Sequence, residues 1–211
     1  MRNYIFDLDG TLINSSKEVI DCMSKAFSEA KYPVNESKLN SDIIGPPLKQ
    51  IVLNIAPELE NSNKTEEIIS NFRRIYDNDT NDVSEVYEGV YDVLSNLKEQ
   101  GCRLFMATLK PQIPTQRIIN QFKLDYFEDV YTIDKFNTQM SKTDMINDII
   151  EKYKLNRKDT VMIGDALSDI TAAKNTGVYS IGALWGYSND KKALIENANK
   201  VIKSMGELCL K

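Results

Sequence analysis

No histidine occurs anywhere in the chain. That removes Ser-His-Asp and Cys-His nucleophilic catalysis, HExxH zinc sites and phosphohistidine chemistry. Any catalysis must rest on carboxylates, lysine, threonine or a bound metal. Cysteine is scarce as well: Cys22, Cys102 and Cys209 stand far apart with no CxxC spacing. Zinc and a disulfide framework are therefore not expected, and a reducing cytoplasmic setting is. There is no basic block to track a nucleic-acid polymer, because 26 basic residues face 31 acidic ones for a net charge of -5. Apolar runs are short, and none reaches the roughly 18 residues of a membrane span. Asp7 and Asp9 interrupt the first run at once, so no secretory leader is indicated. What remains is 42% hydrophobic content over 211 residues, enough to bury a core in one domain with an insertion or in two small domains.

Five short apolar runs end in polar or small residues: Tyr4 to Phe6, Arg103 to Ala107, Val130 to Ile133, Thr160 to Ile163 and Val178 to Ile181. They are continuous rather than alternating, which predicts parallel strands covered on both faces. Helical patterns lie between them over Val90 to Gln100 before Gly101, Pro114 to Phe122, Lys142 to Tyr153, and Ser168 to Asn175 before Gly177. The alternation predicts an α/β fold, a doubly wound parallel sheet with a Rossmann-like core. Residues 14–85 break the rhythm with helices alone. Ser15-Ser16-Lys17-Glu18 has the form of a capping box before a helix to about Ala30, a second helix follows Pro46-Pro47, and a third covers Lys64 to Asp77. The expected organisation is a core of residues 1–13 and 86–211 and an inserted all-helical cap domain of residues 14–85.

The first strand runs into Asp7-Leu8-Asp9-Gly10-Thr11. Two carboxylates this close repel each other and resist burial unless a cation or a proton settles the charge. A calcium-binding EF-hand loop begins Asp-x-Asp, but Leu12 stands where that loop requires glycine. A solvated turn around Gly10 is the plain alternative. The third reading is metal-assisted phosphoryl transfer. Residues i and i+2 at a strand end point the same way, so Asp7 and Asp9 would face one point outside the carboxyl edge of a parallel sheet, where ligands of such folds bind. One carboxylate would attack phosphorus and the other handle protons, with Mg²⁺ neutralising the crowd. Other strand ends carry matching parts: Thr108-Leu109-Lys110 offers a hydroxyl and backbone N–H groups, Lys142 opens a helix with an ammonium, and Gly164-Asp165-Ala166-Leu167-Ser168-Asp169 brings a second carboxylate pair after a glycine that permits close backbone approach.

These four motifs, in this order, resemble the haloacid dehalogenase superfamily of the type with a helical cap inserted after the first strand. The resemblance covers nearly the whole chain. It implies that Asp7 is the nucleophile, forming an aspartyl-phosphate, and that Asp9 is the general acid and then the base. Thr108 and Lys142 would bind the phosphoryl oxygens of the substrate. Mg²⁺ would be held by Asp7, the backbone carbonyl of Asp9 and Asp165, with Asp169 in or near the shell. The second aspartate favours phosphate esters over carbon–halogen bonds. The segments IIGPPLKQIV, FRRIYD and ALWGY further resemble phosphoglycolate phosphatase-like proteins.

The function implied is a Mg²⁺-dependent phosphatase, a phosphoric monoester hydrolase acting on a small phosphorylated metabolite such as phosphoglycolate, a sugar phosphate or a nucleotide, with a cap that closes to exclude water. A phosphosugar mutase using the same aspartates is the alternative, and a non-catalytic phospholigand-binding module a further one. Two positions depart from the family pattern: Leu109 replaces a common asparagine, and Glu88 a common proline. Trp185 and Tyr187 are expected to pack over the sheet edge rather than line the substrate entrance. Arg73 and Arg74 are expected on a solvated helix face, with at most one of them reaching a substrate carboxylate. Ala172 and Ala173 mark close helix packing.

Overall fold

The computed structural model describes residues 1–78, 83–136 and 138–208. Cys209 and positions 79–82 of the inserted block lie outside the described residues. The chain divides into two units, Met1–Asn14 with Val86–Lys211, and Ser15–Glu85.

The first unit is built on a sheet whose strands, in chain order, are β1 (Asn3–Phe6), β4 (Arg103–Ala107), β5 (Asp129–Tyr131), β6 (Thr160–Gly164), β7 (Tyr179–Ala183) and β8 (Lys200–Ile202). Two-residue strands, β2 (Ile13–Asn14) and β3 (Glu85–Val86), mark where the chain leaves and re-enters this unit. The six strands lie in the order β5-β4-β1-β6-β7-β8, and every pairing is parallel. Successive side chains of a strand point to opposite faces. Ile5, Phe105 and Met162 therefore join one buried cluster, while Phe6, Leu104, Met106, Val161 and Ile163 join the other. Helices α4 (Val90–Glu99) and α5 (Gln112–Gln121) cover one face through Val93, Leu94, Leu97 and Ile118. Helices α6 (Lys142–Tyr153) and α7 (Leu167–Thr176) cover the other through Met145, Ile146, Ile149, Ala172 and Ala173. Both faces being dry, the strands read as continuous apolar runs. Among the described residues, no helix is long and apolar enough to cross a membrane.

Several boundaries differ from those the sequence suggests. The strand expected to reach Ile133 stops at Tyr131, because Thr132 and Asp134 turn and bond to each other. Helix α8 (Lys191–Asn197) and β8 were not anticipated; both are short, and β8 supplies only Val201 and Ile202 as apolar residues.

The sheet winds outward from β1 in both directions, so β1 and β6 flank the point where strand order reverses. Crevices at such points, beyond the carboxyl ends of the strands, are where open α/β sheets bind ligands. Asp7, Thr108 and Asp165 each follow directly on one of the three central strands β1, β4 and β6.

The second unit is helical: α1 (Ser16–Glu29), α2 (Leu48–Ile55) and α3 (Asn63–Asp77) bury Met23, Phe27, Val52, Ile68 and Phe72. Ser15 is the N-cap of α1, yet its side chain makes no cap hydrogen bond. The expected capping box is absent because Glu18 is buried and accepts from the Ser84 hydroxyl. Arg74 pairs with Glu29 on the exposed side of α3.

Candidate active site

The chain leaves β1 at Phe6 and turns at once, with Gly10 at φ +75° and its N–H donating to Ile13 O at 2.9 Å. The extended geometry that would aim Asp7 and Asp9 at one point therefore ends before Asp9, and the two take different partners. Asp7 is anchored by its backbone N–H to Ile163 O at 2.9 Å, and its side chain lies buried beside Lys142, with Oδ1 2.9 Å from Nζ. Asp9 is more open and accepts from the Lys110 ammonium at 2.9 and 3.0 Å, one distance for each oxygen.

Lys142 occupies the first turn of α6 because Ser141 and Asp144 form a capping box that fixes where the helix begins. Its buried ammonium also pairs with Asp169. Asp169 sits in the first turn of α7 and accepts the Ala166 N–H at 3.0 Å. Beneath it lies Gly164, where a Cβ would meet Asp169 Cγ at 2.1 Å. Asp165 is gripped at both oxygens, by the Thr11 hydroxyl at 3.2 Å and by the Tyr187 N–H at 2.7 Å. Gly186 makes that grip possible, since a Cβ there would lie 2.2 Å from Asp165 Cβ and 2.4 Å from Gly10 O. Thr108 is buried, with its hydroxyl oxygen accepting the Lys110 N–H at 3.1 Å.

The electrostatics follow from burial. Removal from water is the main reason the Asp7 carboxyl is pushed up to about 7, with Lys142 opposing the rise and Asp169 adding to it. Burial, then the Asp7 charge, pushes Asp165 up to about 6. Asp169 is raised by burial as well. Burial lowers the pKa of Lys142, but Asp169 and Asp7 together outweigh it and raise it. Four carboxylates, those of Asp7, Asp9, Asp165 and Asp169, thus share two ammoniums, those of Lys110 and Lys142.

Asp7, Asp165 and Asp169 each present an oxygen within 4.8 Å of the others. Asp7 Oδ1 is buried, and its contact is the ion pair with the Lys142 ammonium at 2.9 Å. Three buried carboxylates this close beside one ammonium carry an excess of negative charge when ionised, which fits a hard divalent cation that takes oxygen ligands and supplies the missing charge.

The sequence of residues 4–183 matches the family described as haloacid dehalogenase-like hydrolase. The chain belongs to that family. Pyrophosphatase PpaX of Halalkalibacterium halodurans is 29% identical to it, over 99% of this chain and 95% of the relative. Phosphoglycolate phosphatase of Vibrio vulnificus is 30% identical, over 96% and 92%. A solved haloacid dehalogenase-like family hydrolase from Streptococcus pneumoniae superposes with a TM-score of 0.82 over 99% of this chain and 97% of that one; at 21% identity it bears on the fold alone.

This haloacid dehalogenase-like hydrolase brings Asp7, Lys142, Asp165 and Asp169 together and sets Asp9 in a separate pair. Thr108 is tied to that pair through Lys110. Sequence reasoning missed the side chains of Lys110 and Thr11. Both follow motif residues by two positions, and the excess of carboxylates over lysines in the motifs was the available signal for Lys110. Trp185 donates to Thr11 O at 3.1 Å and Tyr187 Oη to Asn14 Oδ1 at 3.1 Å, so the aromatic segment braces the first loop.

Proposed function

We propose that the protein is a Mg²⁺-dependent phosphatase that hydrolyses a small phosphate monoester through an aspartyl-phosphate on Asp7. The observation that carries this reading is the buried cluster of Asp7, Asp165 and Asp169, whose oxygens lie within 4.8 Å of one another beside the Lys142 ammonium. Asp7, Asp165 and Asp169, with the backbone carbonyl of Asp9, would hold Mg²⁺, which when bound neutralises the cluster and polarises a phosphoryl oxygen. The residues of the chain do the rest. Asp7 attacks phosphorus as a carboxylate, and Asp9 gives a proton to the leaving oxygen. Asp9 then takes a proton from the water that frees Asp7. Lys142 and the Thr108 hydroxyl hold the phosphoryl oxygens, so that charge developing on them meets fixed donors.

The helical unit Ser15–Glu85 is assigned the role of cap domain, which selects the substrate. Phosphoglycolate, sugar phosphates and nucleoside monophosphates are the leading substrate classes. The names of the two curated relatives support phosphoglycolate and add pyrophosphate to the set. No nucleic-acid polymer or membrane partner is proposed, and the protein is assigned to the cytoplasm.

The test is phosphate release from p-nitrophenyl phosphate and a panel of these esters, with Mg²⁺ and with EDTA. Release that requires Mg²⁺ is expected. Isomerised substrate without free phosphate would turn the reading into a mutase. Binding without any product would overturn both in favour of a phospholigand-binding module.

A further inference from the structure

Lys110 makes two connections that belong to different parts of the proposed reaction. Its backbone N–H donates to Thr108 Oγ1 at 3.1 Å, which occupies a lone pair and leaves the hydroxyl proton to point elsewhere. Its ammonium meets the Asp9 oxygens at 2.9 and 3.0 Å. A cation nearly equidistant from two carboxylate oxygens engages the whole carboxylate rather than a single oxygen. The lysine is itself held, with only 5% of its side chain exposed against 23% for Asp9. Surface lysines pair loosely and pay side-chain entropy to do so; a buried one that is fixed before substrate arrives has already lost that freedom.

The geometry points to Lys110 as a positioning residue that holds the Asp9 carboxyl group in line with the leaving oxygen and keeps it in register with the Thr108 hydroxyl. This rests on the reading of Asp9 as the acid and base of the phosphatase. In the first step the bond from phosphorus to the leaving oxygen breaks as the bond to Asp7 forms, and the Asp9 proton passes to the leaving oxygen. In the second, water oxygen bonds to phosphorus, the bond to Asp7 breaks, and the water proton passes to Asp9. Lys110 touches no reacting atom. Its effect is therefore felt most where the leaving oxygen needs that proton most.

The experiment compares wild type with Lys110→Met and Lys110→Arg on p-nitrophenyl phosphate, phenyl phosphate and glycerol 2-phosphate, in saturating Mg²⁺. Nitrophenolate leaves with little help, whereas an alkoxide needs the proton. Lys110→Met should lower kcat/KM for glycerol 2-phosphate at least about tenfold more than for p-nitrophenyl phosphate, within the 10²–10⁴ that general acid catalysis contributes. The loss should lie in kcat rather than KM. Lys110→Arg should recover part of the lost ratio. Misfolding lowers all esters alike, so the ratio is insensitive to it. A fall by one common factor for every ester, total loss included, overturns the inference. If wild type itself releases no phosphate from any ester, it is the phosphatase reading that fails.

Discussion

At the amino edge of the sheet, Arg157, Lys158, Lys174 and Glu196 border a cavity of about 520 Å³ together with Tyr179 and Asn199. Lys158, Lys174 and Glu196 stand exposed to water there. At the carboxyl edge, Asp7, Asp165, Asp169, Lys110 and Lys142 are buried against one another. Both edges are rich in charge, but only one removes it from solvent. An exposed ion keeps its hydration, whereas a buried carboxylate must find an ammonium, a proton or a metal. Open volume and unsettled charge therefore lie at opposite edges of the sheet, and the proposed chemistry goes with the charge.

The sharpest way to break the contrast is to remove the carboxylate at its centre. Asp7→Asn should cut turnover of every ester by at least about 10⁴-fold, as loss of a covalent nucleophile does. Phosphate release from p-nitrophenyl phosphate checks it. Next comes the packing that holds a proposed ligand. Gly186→Ala forces Asp165 to move, and the concentration of Mg²⁺ needed for half-maximal turnover should rise about 10–100-fold, the usual cost of disturbing a ligand's support.

The pH dependence of stability sharpens the comparison further. Asp7 and Asp165 bind protons more tightly in the folded state than in the unfolded one, so without metal their contribution is full below about pH 4, the ordinary carboxylate value, and is lost as pH rises through about 6 to 7. The difference in Tm between Mg²⁺ and EDTA should accordingly be small at pH 5 and grow to about 5–10 °C by pH 7.5 at Mg²⁺ a hundredfold above its Kd. A difference independent of pH would show that these carboxylates are not where the ion acts. The smallest effect belongs to the other edge: Lys158→Ala with Lys174→Ala should change stability by no more than about 0.5 kcal/mol in urea unfolding and leave turnover within twofold.

Much of this was legible in the chain itself, for identifiable reasons. Short continuous apolar runs that alternate with helical patterns read as strands buried on both faces, so β1, β4 and β6 and the residues that follow them could be read directly. Lys142 was legible because Ser141 and Asp144 announce the start of its helix. The pairing of Asp9 was not. It depends on where the chain turns after Asp7, and on a lysine 101 positions away whose only local sign was its place two residues past Thr108. β8 escaped because three residues carry too little pattern to separate a strand from a loop. The fate of Glu18 escaped because its partner, Ser84, is remote in sequence.

The pairing of β1 with β6 has a consequence for the order in which the protein is made. Thr11 and Asp165, which bond across this junction, are separated by 154 positions, so a newly synthesised chain cannot bring its acidic residues together until nearly all of it has been translated. Contacts this distant form late, after the local ones have shortened the intervening loop. Until then the carboxylates stay solvated and separate. Capture of a divalent ion at the proposed site of Asp7, Asp165 and Asp169 should consequently report the joining of β1 to β6, making ion uptake a natural probe of that late step of folding.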